Sequence, residues 1–120
     1  MTKRTLVIGA STNPDRFSHK AVRALRSHGH NVVALGLRTG MIGDVPIVTN
    51  LPDAVEFDTV TLYIGPQRQP DYYDTIRELH PKRVIFNPGT ENREFEGMLQ
   101  LAGIETVEDC TLVMLGSNRY

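Results

Sequence analysis

Thr5-Leu6-Val7-Ile8-Gly9-Ala10-Ser11-Thr12-Asn13-Pro14-Asp15-Arg16-Phe17-Ser18 is the stretch from which the rest of the chain can be organised. Thr5 to Ile8 is a β-branched and apolar run without a break, which predicts a central parallel strand covered on both faces. Gly9 lets the backbone turn closely. Ser18 is then placed to N-cap a helix of about three turns, with Ala21, Val22, Ala24 and Leu25 as its apolar stripe and Gly29 as its left-handed stop.

The same alternation of short apolar runs and longer amphipathic ones continues downstream. Asn31 to Leu35 predicts a second strand, and Val45 to Val48 a short third one that Pro46 pushes towards an edge. Thr59 to Ile64 is rich in β-branched and aromatic residues, and Pro70 is positioned to open a helix with Tyr72, Tyr73, Ile76 and Leu79 on one face. Lys82 to Phe86 repeats the strand pattern. Glu91 to Ala102 has Phe95, Met98, Leu99 and Ala102 at helical spacing and ends at Gly103, before a last short strand from Ile104 to Val107. Cys110 to Leu115 is apolar but too short to assign. Such alternation predicts βαβ units, and right-handed crossovers restrict them to a three-layer, doubly wound α/β architecture with a parallel sheet of about five strands. Residues 1–120 are expected to form one domain.

Composition narrows the function classes. Apolar residues make up 40% of the 120 and charged residues 22%, enough for a real core and far from the signature of disorder. Lys and Arg number 13 against 14 Asp and Glu, so no global positive field exists to hold nucleic acid or an anionic membrane. The one cysteine, Cys110, rules out an intramolecular disulfide and a thiolate metal cluster and suits a reducing cytoplasm. The apolar run from Leu6 to Ala10 is too short for a signal-peptide core, and no stretch approaches the length of a membrane span. The composition leaves room for a homodimer or another protein partner.

In a doubly wound sheet, ligands bind beyond the carboxyl ends of the strands, so the strand-end loops carry the functional argument. The first loop offers the hydroxyls of Ser11, Thr12 and Ser18 beside a helix N-terminus whose free N–H groups and dipole attract phosphate. An ordinary strand-to-helix turn is the plainer alternative. The loop is longer than a dinucleotide loop, and Ser11 stands where G-x-G-x-x-G has its second glycine. After the second strand the chain reads Ala34-Leu35-Gly36-Leu37-Arg38, without the carboxylate that would bond the ribose 2′-hydroxyl of NAD. Arg38 instead suits an extra ribose phosphate, the 2′-phosphate of NADP or the 3′-phosphate of coenzyme A, unless it is simply a solvated surface arginine. Cys110 has no sequence neighbour that would lower its pKa and is expected to be a small packed residue. His19, His28, His30 and His80 make no metal-ligand spacing and are expected at helix ends or on the surface. Tyr72 and Tyr73 are expected to pack.

Together these stretches resemble the small stand-alone CoA-binding proteins, whose fold is like the N-terminal domain of the succinyl-CoA synthetase alpha subunit. The resemblance runs through Val7-Ile8-Gly9-Ala10-Ser11 with Asn13-Pro14 and Ser18, Gly43 to Pro46, Asn87-Pro88-Gly89, and Glu108-Asp109-Cys110. It implies a Rossmann-like CoA-binding domain in which Gly9, Ala10, Ser11, Thr12, Asn13, Arg16 and Ser18 hold the diphosphate. It further implies that Leu37 and Arg38 meet the adenosine 3′-phosphate, that Gly65 and Pro66 flank the adenine, and that Pro88 and Gly89 complete the site. In one place the chain departs from the pattern: Gly36-Leu37 stands where an Asn-Pro pair is usual.

The expected function is non-catalytic binding of CoA or acyl-CoA, as a sensor, carrier or partner module. A succinyl-CoA synthetase needs a further domain with a phosphorylated histidine and a separate nucleotide-grasping subunit, and 120 residues have room for neither. A small NADP-dependent oxidoreductase or redox-sensing domain is the second reading, with Tyr63 and Ser11 as its only conceivable proton donors. An interaction protein whose ligand site has decayed is the third.

Overall fold

The computed structural model describes residues 2–120. Seven strands form one sheet: β1 (Thr5–Ile8), β2 (Val32–Leu35), β3 (Gly40–Ile42), β4 (Val45–Val48), β5 (Thr59–Leu62), β6 (Arg83–Phe86) and β7 (Glu105–Glu108). Their spatial order is β3-β4-β2-β1-β5-β6-β7, with β3 antiparallel to β4 and every other pair parallel. The doubly wound, Rossmann-like architecture holds, while the expected count of about five strands is corrected to seven.

The addition that the sequence did not announce is β3. Ile42 pairs with Val45, so Gly43-Asp44 is a two-residue hairpin turn, with Gly43 at φ +58. Such Gly-Asp pairs between strands are a known hairpin signal, but a three-residue strand carries too little periodicity to be seen. β3 also takes the edge expected for Val45–Val48. Pro46 is tolerated inside because the ladder to β2 pairs only Ala34 with Ile47 and Leu35 with Val48, beyond the proline.

Alternating side chains of the strands fill two layers. Leu6, Ile8, Val60, Leu62, Val84 and Phe86 face one way and pack with Ile76, Phe95 and Leu99, which belong to helices α2 (Tyr73–Leu79) and α3 (Arg93–Leu101). Val7, Ala34 and Ile47 face the other way, against Val22 and Leu25 of α1 (Phe17–Ser27) and Leu115 of α4 (Thr111–Gly116). The unassigned tail is therefore a helix. Pro70 does not open one: it sits inside a 3₁₀ turn over Pro66–Tyr72 that precedes α2. The side-chain amide of Gln69, fully buried, fixes that turn by donating to the carbonyls of Ile64 (3.0 Å) and Thr90 (2.7 Å).

At the opposite end of the sheet from the carboxyl-end loops, Tyr120 lies 4.5 Å from the guanidinium of Arg83 and 4.9 Å from the ring of His30. His30 is buried and accepts a hydrogen bond from the Lys3 backbone N–H at Nδ1 (2.9 Å), which corrects the expectation of an exposed or helix-end side chain. Burial, with the like charges of His28, Lys3 and Arg83, pulls its pKa below the ordinary 6.5. The folded state thus favours neutral His30, and its contribution to stability is complete above pH 6.5 and lost as pH falls through 6.5 towards the lower folded value. In urea unfolding between pH 7.5 and 5.5, the wild type is expected to lose more stability than His30→Asn, which keeps an acceptor but cannot titrate. Parallel losses in the two proteins would refute this.

Candidate ligand-binding site

The sheet order reverses at β1, whose chain neighbour β2 lies on one side and β5 on the other. Loops leaving these strands in opposite directions open a crevice at their carboxyl ends. Two glycines set its floor. Gly9 has φ +96, and a Cβ there would lie 2.9 Å from the Tyr63 carbonyl oxygen and 3.0 Å from Ile64 Cγ2. At Gly36 a Cβ would lie 2.5 Å from the Ala10 carbonyl oxygen. The segments after β2 and β5 therefore press against the first loop as only bare backbone allows. Position 36 has no room for an acidic side chain of the kind that selects NAD, so the departure from Asn-Pro noted in the sequence has a steric counterpart.

The first loop is held by its own polar groups. The Asn13 N–H donates to Ser11 Oγ (3.1 Å), the Asp15 N–H to Asn13 Oδ1 (3.0 Å), and the Arg16 N–H to the Asn13 carbonyl (3.1 Å). These turns start α1 at Phe17, so Arg16 is the N-cap and contributes no side-chain bond. Ser18 is thus corrected from cap to second helical residue, and it is buried. The first turn carries no acidic residue, and among the described residues the N–H groups of Phe17 and Ser18 meet no protein acceptor. Two free amides and the positive end of the helix face the same space.

That space is a cleft of about 900 Å³, within the range of cofactor sites. Gly9, Ala10, Ser11, Thr12, Asn13, Arg16 and Ser18 line it from the first loop. Leu37 and Arg38 reach it from the segment after β2, Gly65 from that after β5, and Pro88 and Gly89 from that after β6. Pro66 is the one named position that does not. The structure adds Gly36, Asp15, Phe17, Tyr63, Ile64, Arg68, Tyr72 and Thr90. Arg16, Arg38 and Arg68 against Asp15 give the lining a formal charge of +2 in a chain of net charge −1. Among the described residues, no side-chain hydrogen bond or ion pair ties the guanidinium of any of these three arginines to the protein, although Arg16 and Arg68 bond through their backbone N–H to the carbonyls of Asn13 and Gly65. Arg68 was recoverable in principle, since it lies three residues beyond Gly65 in a strand-end loop. Leu37 is 72% exposed and Phe17 65%, which leaves apolar surface beside the cations for a base or an alkyl chain.

Below the cleft, Asn87 is buried and ties three elements together. Its Nδ2 donates to Thr61 Oγ1 (2.6 Å) and the Leu62 carbonyl (2.8 Å), and its Oδ1 accepts from the Thr111 N–H (2.9 Å). Among the described residues, the buried hydroxyl of Tyr63 has no partner of bonding geometry, and burial pushes its pKa up to about 12. His28 and His80 do sit at helix ends, bonded to the carbonyls of Ala24 and Ala102. His19 also stands at a helix end, in the first turn of α1, but its side chain is buried under the first loop. Tyr73 and Tyr72 both pack against the core as expected, Tyr73 stacked 4.2 Å from Phe95 and Tyr72 half-buried with one side on the cleft. Cys110 is half-buried just before α4.

Residues 3–116 match the model of the CoA binding domain family. The chain belongs to that family. Among solved structures, the chain is similar to an uncharacterized protein, 45% identical with a TM-score of 0.95, the match covering 100% of this chain and 99% of that one. A Thermus thermophilus protein is 27% identical with a TM-score of 0.87, covering 99% and 91%. An acetyl-coenzyme A synthetase of Ca. Korarchaeum cryptofilum shares the fold at 16% identity, with a TM-score of 0.71 over 89% of this chain and 25% of that one. No curated protein matches. Among the described residues, no helix is long and apolar enough to cross a membrane.

Proposed function

We propose that the cleft binds coenzyme A or an acyl-CoA and does no chemistry on it, so that the protein acts as a sensor, a carrier or a partner module. One observation carries this reading: a helix N-terminus without a side-chain cap and three arginines whose guanidinium groups have no partner among the described residues converge on a single cleft. The diphosphate rests on the amides of Phe17 and Ser18, with the hydroxyls of Ser11 and Thr12 and the guanidinium of Arg16 beside them. Arg38 takes the 3′-phosphate, and the adenine lies by Gly65. Tyr63 is the phenol that the oxidoreductase reading would use as donor, and burial pushes its pKa up to about 12, far from the range in which a general acid works at neutral pH. That weakens the NADP-oxidoreductase reading, whose remaining support is Arg38 itself.

Thermal unfolding with CoA, acetyl-CoA, dephospho-CoA, NADP, NAD and ATP tests the proposal. CoA at 100 times its dissociation constant is expected to add about 2.7 kcal/mol, roughly 10 °C for a chain of this size. Dephospho-CoA is expected to bind about tenfold more weakly, for want of one charge-assisted contact, and Arg38→Ala to erase the difference. A midpoint raised by NADP alone would overturn the CoA reading, and no response to any of the six would leave a decayed site.

A further inference from the structure

His19 is a buried polar side chain that the CoA reading does not use. It stands in the first turn of α1, is 4% exposed, and does not line the cleft. Both ring nitrogens are engaged. Arg23, one turn along the helix, donates from Nε to Nε2 at 3.0 Å, and a guanidinium has no lone pair to offer in return, so Nε2 is the unprotonated nitrogen. In the neutral ring the hydrogen then sits on Nδ1, which lies 2.9 Å from the Ser11 carbonyl oxygen. Arg23 thereby fixes the tautomer, and the tautomer fixes the carbonyl.

We propose that His19 is the positioning residue of the anion site. Its Nδ1–H holds the Ser11 carbonyl on the protein side of the loop, so that the loop offers N–H and O–H groups to a diphosphate rather than a carbonyl dipole. The inference rests on the diphosphate reading above. A carbonyl turned into the cleft would aim partial negative charge at the phosphates, and donors oriented before the ligand arrives cost no reorganisation when it binds. Ser11 is held at two points, since its Oγ also accepts from the Asn13 N–H. The hydroxyl hydrogen stays free to point outward.

The test compares the wild type with His19→Asn, which places an amide N–H close to the former Nδ1, with His19→Leu, which keeps bulk without a donor, and with Arg23→Met at an exposed position. Calorimetry with CoA, ¹⁵N NMR of the imidazole and hydrogen exchange of the Asn13 amide are the readouts. His19→Asn is expected to bind CoA within about threefold of the wild type and His19→Leu about five- to tenfold more weakly, with faster Asn13 exchange. Arg23→Met is expected to fold normally, to mix the tautomers and to weaken CoA about threefold. Wild-type affinity in His19→Leu, equal weakness in His19→Asn and His19→Leu, or an Nε2–H tautomer in the wild type would overturn the proposal. Should His19→Leu fail to fold, unchanged tautomer and affinity in Arg23→Met overturn it instead. If the wild type gives no heat with CoA, the CoA reading falls alone, and equal Asn13 exchange in wild type and His19→Leu is then what sinks the strut.

Discussion

Gly9→Val is expected to destabilise the protein by about 3–5 kcal/mol and to remove any stabilisation by CoA. Two costs add. A φ of +96 is a conformation that a β-branched residue adopts only at about 1–3 kcal/mol, and the new Cβ would press within 2.9 Å of the Tyr63 carbonyl. That neighbour is the backbone of a central strand end and cannot swing aside as a side chain would, so overpacking adds about 1–3 kcal/mol more. Against a total stability of about 6–18 kcal/mol for a chain of 120 residues, this loss takes a large share. The fall in midpoint, read by circular dichroism, is expected to exceed 10 °C. A midpoint within 3 °C of wild type would mean that the crossing of the first loop with the β5 end is not as tight as described.

Asn87→Ala is expected to cost about 3–4 kcal/mol, although position 87 lies beside the cleft rather than in it. The Asn87 side chain satisfies three groups at once: the Leu62 carbonyl at the end of β5, the Thr61 hydroxyl within it, and the Thr111 N–H that opens α4. Removing it strands a buried N–H and a buried carbonyl, each at about 1–3 kcal/mol, while Thr61 keeps its bond to Thr111 Oγ1 (2.8 Å). Asn87→Asp should recover part of the loss as the protonated acid, the form that burial favours, whose carbonyl accepts from the Thr111 N–H and whose O–H donates to the Leu62 carbonyl. Urea midpoints of the three proteins check the order wild type, Asp, Ala. Equal stability of Ala and wild type would show that water replaces the amide at no cost.

These two residues also mark how far the sequence could be read. Gly9 was legible as a close turn because it follows an unbroken strand pattern, and the structure supplies the neighbour it turns against. Asn87 was legible only as part of Asn-Pro-Gly, a feature of the family resemblance. Its role joins two strands to a helix 24 residues later, a distance that no local pattern spans. Ser18 shows the opposite error: a serine before an apolar stripe is a sound cap signal, but Asn13 turned the loop earlier and α1 began before it. His19 and His30 were expected at helix ends or on the surface, because sequence alone does not say which polar side chain will find partners inside.

The alternation of short apolar and longer amphipathic runs was enough to establish a three-layer parallel α/β sheet, since periodicity is local and right-handed crossovers leave few ways to connect such units. The loop after the first strand was legible as the candidate site for the same reason. The edge hairpin, the pressing of Gly36 on the first loop, the meeting of Arg16, Arg38 and Arg68 in one cleft, and the strut from His19 to Ser11 depend on which strand ends become neighbours. Tertiary structure alone decides that, because contacts between loops from different strands are fixed by the spatial order of the sheet and not by the order of residues along the chain.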